Sequence, residues 1–546
     1  MINRTQNRSK AIIGQAVAIA MLGMAVSTQA ATYTWVGHAN DGIWQNGATA
    51  SDANWLVDGV EGVYEPSNGG SNNFVIAGTG YNADVNTINL YHDPNVTNLS
   101  LNNTATTPIN IVINEGAHLD FNIATTPSES LSVGGGAGGA NVGHEISAVG
   151  NGYVMLQGND VHQWRVSGST GRLTVSAPIH GSGVRRGIEK RGDGNLRLTA
   201  TNSIYSGQTT IAGGRIEVTS LKNMGLESSL GTHTRYGIVQ IGSTSGLSGT
   251  LNYIGTEDTT TDARFNIGRH TGDPANTAQI TRLLSESGTL TLTGGLVANE
   301  GGLFSHNVNF ELGGDGDINI NARGTDRTYF GDREGGIFGG INLNKVGTGT
   351  VRINTQSLWR GATTVSAGSL LVNINHTINS GMSNYTVLEG GTLGGTGSIN
   401  SPISIETGGN LRPGDAGGVL TTNNTLDLAG AFIADLYSTS DFSQLLANNS
   451  VTLAETATLE IGEIGDLLVG DMFTIIDTPG TLVGTFAGLT DGSSFISGLH
   501  TFQIGYSNGD VSLTLTDIAA VPEPTTFGLL SIAGLGLLAR RRRMAK

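Results

Sequence analysis

Lys190-Arg191-Gly192-Asp193-Gly194-Asn195-Leu196-Arg197-Leu198, followed by Gly207, Thr209-Thr210-Ile211, Gly214, Ile216 and Val218, returns as Lys345-Val346-Gly347-Thr348-Gly349-Thr350-Val351-Arg352-Ile353, then Gly361, Thr363-Thr364-Val365, Gly368, Leu370 and Val372. One residue is deleted between strands in the second copy. Each copy holds three short strands separated by glycine corners. Such a unit cannot close a core alone, because its strands have unpaired edges and its apolar face needs a neighbour; stacking rung on rung supplies both. The repeat predicts a β-solenoid.

The surrounding chain is written in the same way. Ile109-Asn110-Ile111, Leu173-Thr174-Val175, Thr289-Leu290-Thr291-Leu292 and Asp317-Ile318-Asn319-Ile320 alternate apolar and polar positions, the period of a strand that buries one face. No stretch between Ala31 and Thr516 sustains a capped 3.6-residue apolar period, which excludes a sheet built with crossover helices. Glycine supplies 83 of 546 residues, about twice the usual share of ~7%. The 38% of hydrophobic residues is too much for a disordered chain. There is no cysteine, so an exported fold draws its stability from its backbone ladder and apolar interior. At ~24 residues per rung the exported part makes about 20 rungs and a rod ~100 Å long.

The quoted residues resemble the autotransporter-associated β-strand repeat of passenger domains, whose Gly-x-Gly-x-Leu-x-Leu strand, turn and Thr-Thr-Ile strand they share. The resemblance implies a right-handed parallel β-helix. Gly390-Gly391-Thr392-Leu393-Gly394-Gly395-Thr396-Gly397, Gly409-Asn410-Leu411-Arg412-Pro413-Gly414, Gly470-Asp471-Met472-Phe473-Thr474-Ile475-Ile476-Asp477 and Gly484-Thr485-Phe486 are similar to the C-terminal end of such passengers. The departure is that about 30 residues follow Thr516, too few for an outer-membrane barrel of at least eight strands. The expected organisation is an all-β chain: an N-terminal β cap over 31–123, a β-helix over 124–424 with repeats at about 187–218 and 342–373, and a C-terminal β-helix end or cap over 425–516.

Both ends read as addresses. Arg4, Arg8 and Lys10 precede an apolar run from Ala11 to Val26, and Thr28-Gln29-Ala30 offers small residues at −3 and −1. That predicts a cleavable Sec signal peptide over 1–30, cut between Ala30 and Ala31. At the other end, over 519–546, Val521-Pro522-Glu523-Pro524 leads into an apolar stretch to Ala539, and Arg540, Arg541, Arg542, Arg543 and Lys546 follow. Counted from Val521, the stretch spans ~28 Å as a helix, close to the ~30 Å of a membrane core. Its arginines stay cytoplasmic by the positive-inside rule, which places the remainder outside. This order resembles the PEP-CTERM sorting signal of Gram-negative bacteria that make exopolysaccharide. The resemblance implies an exosortase-type processing protease as partner, an inner-membrane intermediate, and then transfer to the cell surface or extracellular matrix.

Removing both ends takes away eight of 28 basic groups and one of 44 acidic ones, leaving a net charge of −23. Such a surface repels nucleic acid and anionic lipid, so the membrane is touched only through the C-terminal segment.

Candidate chemistry is sparse. Trp35, Trp44 and Trp55 form either an aromatic platform for sugar rings or the buried filling of a cap. His144, His162 and His180 recur at one constant spacing and would stack in a cation-holding column only if a rung there had that same length. Chance spacing is the plainer reading, and no metal or cofactor motif is present. Gly313-Gly314-Asp315-Gly316-Asp317 resembles a calcium β-roll nonapeptide but is one residue short and not tandem, which fits a glycine turn. Gly505-Tyr506-Ser507-Asn508-Gly509 satisfies the nucleophile-elbow pattern, yet a strand rather than a helix follows it. Arg191-Gly192-Asp193 spells an integrin tripeptide inside a repeat corner. Asp332-Arg333-Glu334 and Asp193 near Arg191 are the densest mixed-charge clusters, and both read as solvated turns. These readings converge on a non-catalytic, structural or adhesin-like surface protein. An exopolysaccharide-binding module, or a β-helix polysaccharide lyase or hydrolase with facing carboxylates, is the alternative.

Overall fold

The computed structural model describes residues 32–35, 43–44, 54–57, 60–61, 73–77, 86–103, 108–123, 129–135, 143–158, 161–183, 185–232, 238–242, 248–268, 279–298, 307–321, 336–377 and 383–520. The expected signal peptide with Ala30 and Ala31, the cluster Asp332-Arg333-Glu334, and the sorting residues Val521 to Pro524 and Arg540 to Arg543 lie outside them. Among the described residues there is no α-helix, and none long and apolar enough to cross a membrane.

The chain winds through a small set of walls. Sheet two, with sixteen strands, runs from Thr87–Leu90 to Leu482–Val483, and each strand pairs in parallel with the one a full turn later. Sheet one has fourteen strands, and sheet three four, from Asn95–Val96 to Ile179–Gly181. Sheet four has seventeen and begins at Thr259–Thr261. From Asn73 to Gly181 successive described strands visit sheets one, two and three in turn, and from Gly187 to Tyr253 they alternate between sheets one and two. Beyond Leu358–Trp359 sheet one ends, and a second parallel ladder of sheet four, opening at Asn375–His376, takes its turn in the cycle. Trp359 and His376 stack across that change of wall, ring centroids 3.6 Å apart.

Alternation makes the core. Ile88, Ile111, Ile146, Val175, Leu198, Val218 and Tyr253 follow one another in register along sheet two, each at most 1% exposed. A fully buried Ile, Val or Leu contributes about 1.5–3 kcal/mol, so one column runs through the interior as a continuous apolar spine. The outer faces carry polar ladders: Asn354 Nδ2 donates to Asn321 Oδ1 at 2.9 Å, and Asn373 Nδ2 to Asn354 Oδ1 at 2.8 Å.

One expectation changes. The rung has no constant length, since Tyr385 pairs with Ile403 but Arg215 with Thr250. Variable loops between strands absorb chain, and sheet two has sixteen strands. At ~4.8 Å per strand that wall alone extends over ~70 Å. The parallel ladder also runs within both segments expected as the ends of the rod. It is already running at Thr32–Trp35 against Asn73–Ala77 and continues to Leu482–Val483. Among the described strands, antiparallel pairing is confined to the edge strands Trp55–Val57 and Val60–Glu61 at one end, a local contact at Leu436–Phe442, and the meander ending in Ser494–Ser497, His500–Ser507 and Asp510–Ile518; isolated antiparallel bridges also join Ser203 to Ser228 and Gly395 to Gly414.

The two repeat copies do not occupy the same walls. The first runs from Gly187–Arg191 in sheet one round to Asn195–Leu198 in sheet two, then Thr209–Ile211 and Arg215–Val218. The second runs from Ile341–Val346 in sheet two round to Thr350–Ile353 in sheet four, then Thr363–Val365 and Gly368–Val372. The repeat therefore encodes a corner between two walls, not a fixed position on the rod. Each copy also holds a fourth strand, the one carrying the lysine, which the sequence reading left out.

Candidate functional site

The lysines that open the repeats are buried, Lys190 at 0% and Lys345 at 1% exposure. Lys190 Nζ donates to the carbonyls of Arg191 at 2.9 Å, Gly192 at 2.8 Å and Gly213 at 3.1 Å. Lys345 Nζ donates to those of Val346 at 3.0 Å, Gly347 at 2.8 Å and Ala367 at 3.0 Å. Two acceptors belong to the lysine's own corner and the third to the corner of the next rung. Burial pushes the ammonium groups down, to about 7 for Lys190 and about 8 for Lys345, while three carbonyls accepting three N–H bonds favour the charged form. A second fastener recurs: Tyr205 Oη lies 2.9 Å from Thr209 Oγ1, and Trp359 Nε1 donates to Thr363 Oγ1 at 2.9 Å. Both link an aromatic to the first threonine of the Thr-Thr strand four residues on. The repeat chemistry is structural.

The expected aromatic platform is corrected. Trp35, Trp44 and Trp55 are 0, 1 and 2% exposed and meet edge to face, with centroids 5.0 Å apart for Trp35–Trp55 and 4.8 Å for Trp44–Trp55. Phe74 packs against Trp44 and Trp55, and Trp55 Nε1 donates to the Trp44 carbonyl at 2.7 Å. With no exposed ring faces, these indoles fill the end of the core.

The conditional histidine column does not form. His144 lies on sheet two opposite Leu173, His162 on sheet one opposite Ile188, and His180 on sheet three opposite Met155. They fall on three walls because a full turn of chain here is longer than the interval between them. Among the described residues no cluster of His, Asp and Glu could hold a metal ion. What sheet three builds instead is a stack of His118, Tyr153 and His180, with centroids 5.0 and 4.1 Å apart. His118 Nε2 is 3.1 Å from Asp93 and its Nδ1 2.5 Å from Asp120, whose other oxygen accepts from Gln157 at 2.8 Å. Burial raises the Asp120 carboxyl against the pull of His118. Both ring nitrogens are engaged within this network.

The short motifs are absorbed into turns. Asp315 Oδ1 accepts from the Thr348 amide at 3.2 Å and Asp317 Oδ1 from the Thr350 amide at 2.8 Å, so both carboxylates fasten one rung to the next. Ser507 pairs with Asp510 across a hairpin whose turn, Asn508-Gly509, has φ of 54° and 94°, an Asn-Gly turn of the primed kind. In Arg191-Gly192-Asp193, Arg191 Nε donates to Glu189 at 2.8 Å and Asp193 Oδ1 accepts from the Gly168 amide at 2.7 Å.

A groove of about 600 Å³ opens on the outer side of sheet two, lined among others by Arg172, Arg215, Arg282, Gly194 and Thr250. The register Arg172–Asn195–Arg215–Thr250–Arg282 places an arginine on every second rung. Two rungs rise ~9.6 Å. The Arg172 side chain is exposed and makes no hydrogen bond or ion pair among the described residues. Arg215 makes only a 3.5 Å contact to Glu217, which takes its short bond, 2.6 Å, from Arg197. Arg282 is paired with Glu311. Sequence reasoning missed this column, because rungs of unequal length scatter its members irregularly along the chain.

A family model described as the Passenger-associated-transport-repeat matches residues 188–218 and 343–372. Another, the PEP-CTERM protein-sorting motif, matches 520–543. The chain is 28% identical over 337 residues to the Adhesin BmaC autotransporter of Brucella suis biovar 1 (strain 1330). That match takes in 61% of this chain and 7% of the adhesin, so the chain spans a small fraction of that relative's length. Against the crystal structure of the Haemophilus influenzae Hap adhesin the identity is 10% and the TM-score 0.19, over 82% of this chain and 64% of that one; no argument rests on a score that low.

Proposed function

We propose that this chain, which carries two passenger-associated transport repeats and a PEP-CTERM sorting motif, is an exported, adhesin-like structural protein of the cell surface or extracellular matrix, without catalytic activity. It is a right-handed parallel β-helix whose N-terminal segment directs Sec export. Its C-terminal segment holds it in the inner membrane until an exosortase-type protease acts near Pro522-Glu523-Pro524. The observation that carries the reading is the joining, in one chain, of a continuous parallel ladder to a sorting motif at 520–543. A rod stiffened from end to end by inter-rung hydrogen bonds suits display and contact rather than chemistry. Among the described residues the raised carboxyl, Asp120, is committed to His118 and Gln157, whereas glycoside hydrolysis asks for two acids facing each other across an open cleft.

The test is intact-mass analysis of protein shed from the surface of cells expressing the full chain, beside a variant lacking Arg540 to Arg543. The expected wild-type product ends near Pro522-Glu523-Pro524 and begins at Ala31, while the variant keeps its C-terminus and stays with the inner membrane. An uncut C-terminal region in surface protein from both would overturn the sorting assignment.

A further inference from the structure

The arginine column on sheet two is the feature that neither the ladder nor the sorting motif accounts for. The chain as a whole carries a net charge of −16, yet 165–215 holds eight Lys and Arg against two Asp and Glu. Two of those cations, Arg172 and Arg215, line the groove two rungs apart. Of the two acids beside them, Glu217 is paired with Arg197, and Asp193, which accepts from the Gly168 amide, keeps its negative charge. Two arginines against one unpaired acid leave the groove with a net positive charge. Its floor between Arg172 and Arg215 holds the small residues Gly194 and Gly214 with Asn195, which leave room for a chain lying along the rod.

We infer that this groove binds an acidic polysaccharide, running parallel to the rod with carboxylates facing Arg172 and Arg215. The inference rests on the extracellular reading above and names its ligand class. Two rungs of a parallel ladder rise ~9.6 Å, about the length of an extended disaccharide, so a polyuronate with one carboxylate per sugar presents every second charge at the arginine spacing. Guanidinium groups suit this role because their planar fork pairs with a carboxylate through two N–H bonds.

The experiment is affinity electrophoresis and calorimetry of the folded, full-length exported chain with polygalacturonate, with neutral dextran, and with single-stranded DNA at matched charge. Retardation by polygalacturonate that weakens with salt, none by dextran, and at least a tenfold loss of affinity in Arg172→Gln/Arg215→Gln is the expected result. Arg172→Glu alone, at an exposed and unpartnered side chain, serves if the double variant fails to fold, and it should lose affinity at least as strongly. Equal binding by wild type and folded variants, equal binding of dextran, binding of DNA as tight as of polygalacturonate, or no binding at all would each overturn the inference. Surface display measured by C-terminal processing is a separate readout, so a failed groove leaves the sorting assignment standing, and a failed sorting assignment leaves the binding result interpretable.

Discussion

Lys190 reaches across a rung boundary to the carbonyl of Gly213, 3.1 Å from its Nζ, and Lys345 repeats the reach to Ala367 on a different pair of walls. A carbonyl left buried without a donor costs about 1–3 kcal/mol, and methionine fills the same space with no N–H to give. Lys190→Met should therefore lower stability by about 3 kcal/mol or more in guanidinium unfolding, and Lys345→Met likewise. Lys222→Met, at an exposed lysine, should stay within about 0.5 kcal/mol of the parent. Equal effects at Lys190 and Lys222 would remove the corner role.

The corner glycine beside that lysine makes a second, separable demand. Gly192 has φ of 74°, and a Cβ there would lie 2.4 Å from the Val166 carbonyl oxygen; Gly183 has φ of 95° with nothing within 4 Å. Both substitutions to alanine carry the left-handed penalty of about 1–2 kcal/mol. Only Gly192→Ala adds a clash with the backbone of the neighbouring rung. Gly183→Ala should cost about 1 kcal/mol and Gly192→Ala at least twice that, read from thermal unfolding of the two variants side by side.

The corner was legible in the sequence as Gly-x-Gly between alternating strands, and so was the all-β solenoid, because period-two patterning and repeated glycines are local properties. The lysine's burial was not, since a lone cation in a turn-rich stretch reads as surface until the rung above supplies its third acceptor. The same non-locality hid the arginine column and misled the histidine spacing. Arg172, Arg215 and Arg282 share a face only because loops of different length are set aside, whereas His144, His162 and His180 share a spacing but three different walls. Trp35, Trp44 and Trp55 carried two readings that composition could not separate; packing against Phe74 decided for the core.

Tryptophan emission tests that outcome directly. All five indoles, Trp164 and Trp359 included, are at most 2% exposed. Iodide, a charged quencher that stays in solvent, should leave the native emission almost unchanged and quench it strongly in guanidinium. Polygalacturonate bound at Arg172 and Arg215 should not alter it either. A glycan-dependent change in emission would place a sugar against an indole and contradict the packing of the N-terminal end.

Acid should loosen the rod before its carboxylates titrate. Burial pushes His144, His162 and His376 down to about 4 each, from an ordinary value of 6.5. At His144 the Ile109 amide donates to Nδ1 at 3.1 Å, a bond that protonation of that nitrogen would destroy. Between pH 6.5 and 4 the unfolded chain binds protons that the folded chain refuses, so stability falls as pH drops through that window and is unaffected by these groups above it. The loss amounts to about 2 kcal/mol per histidine by pH 5. Denaturant midpoints at pH 7.5 and pH 5 should differ accordingly, and His162→Leu, which replaces a side chain of 0% exposure with one that cannot charge, should remove about 2 kcal/mol of the difference. An unchanged acid sensitivity in that variant would assign the loss to other groups.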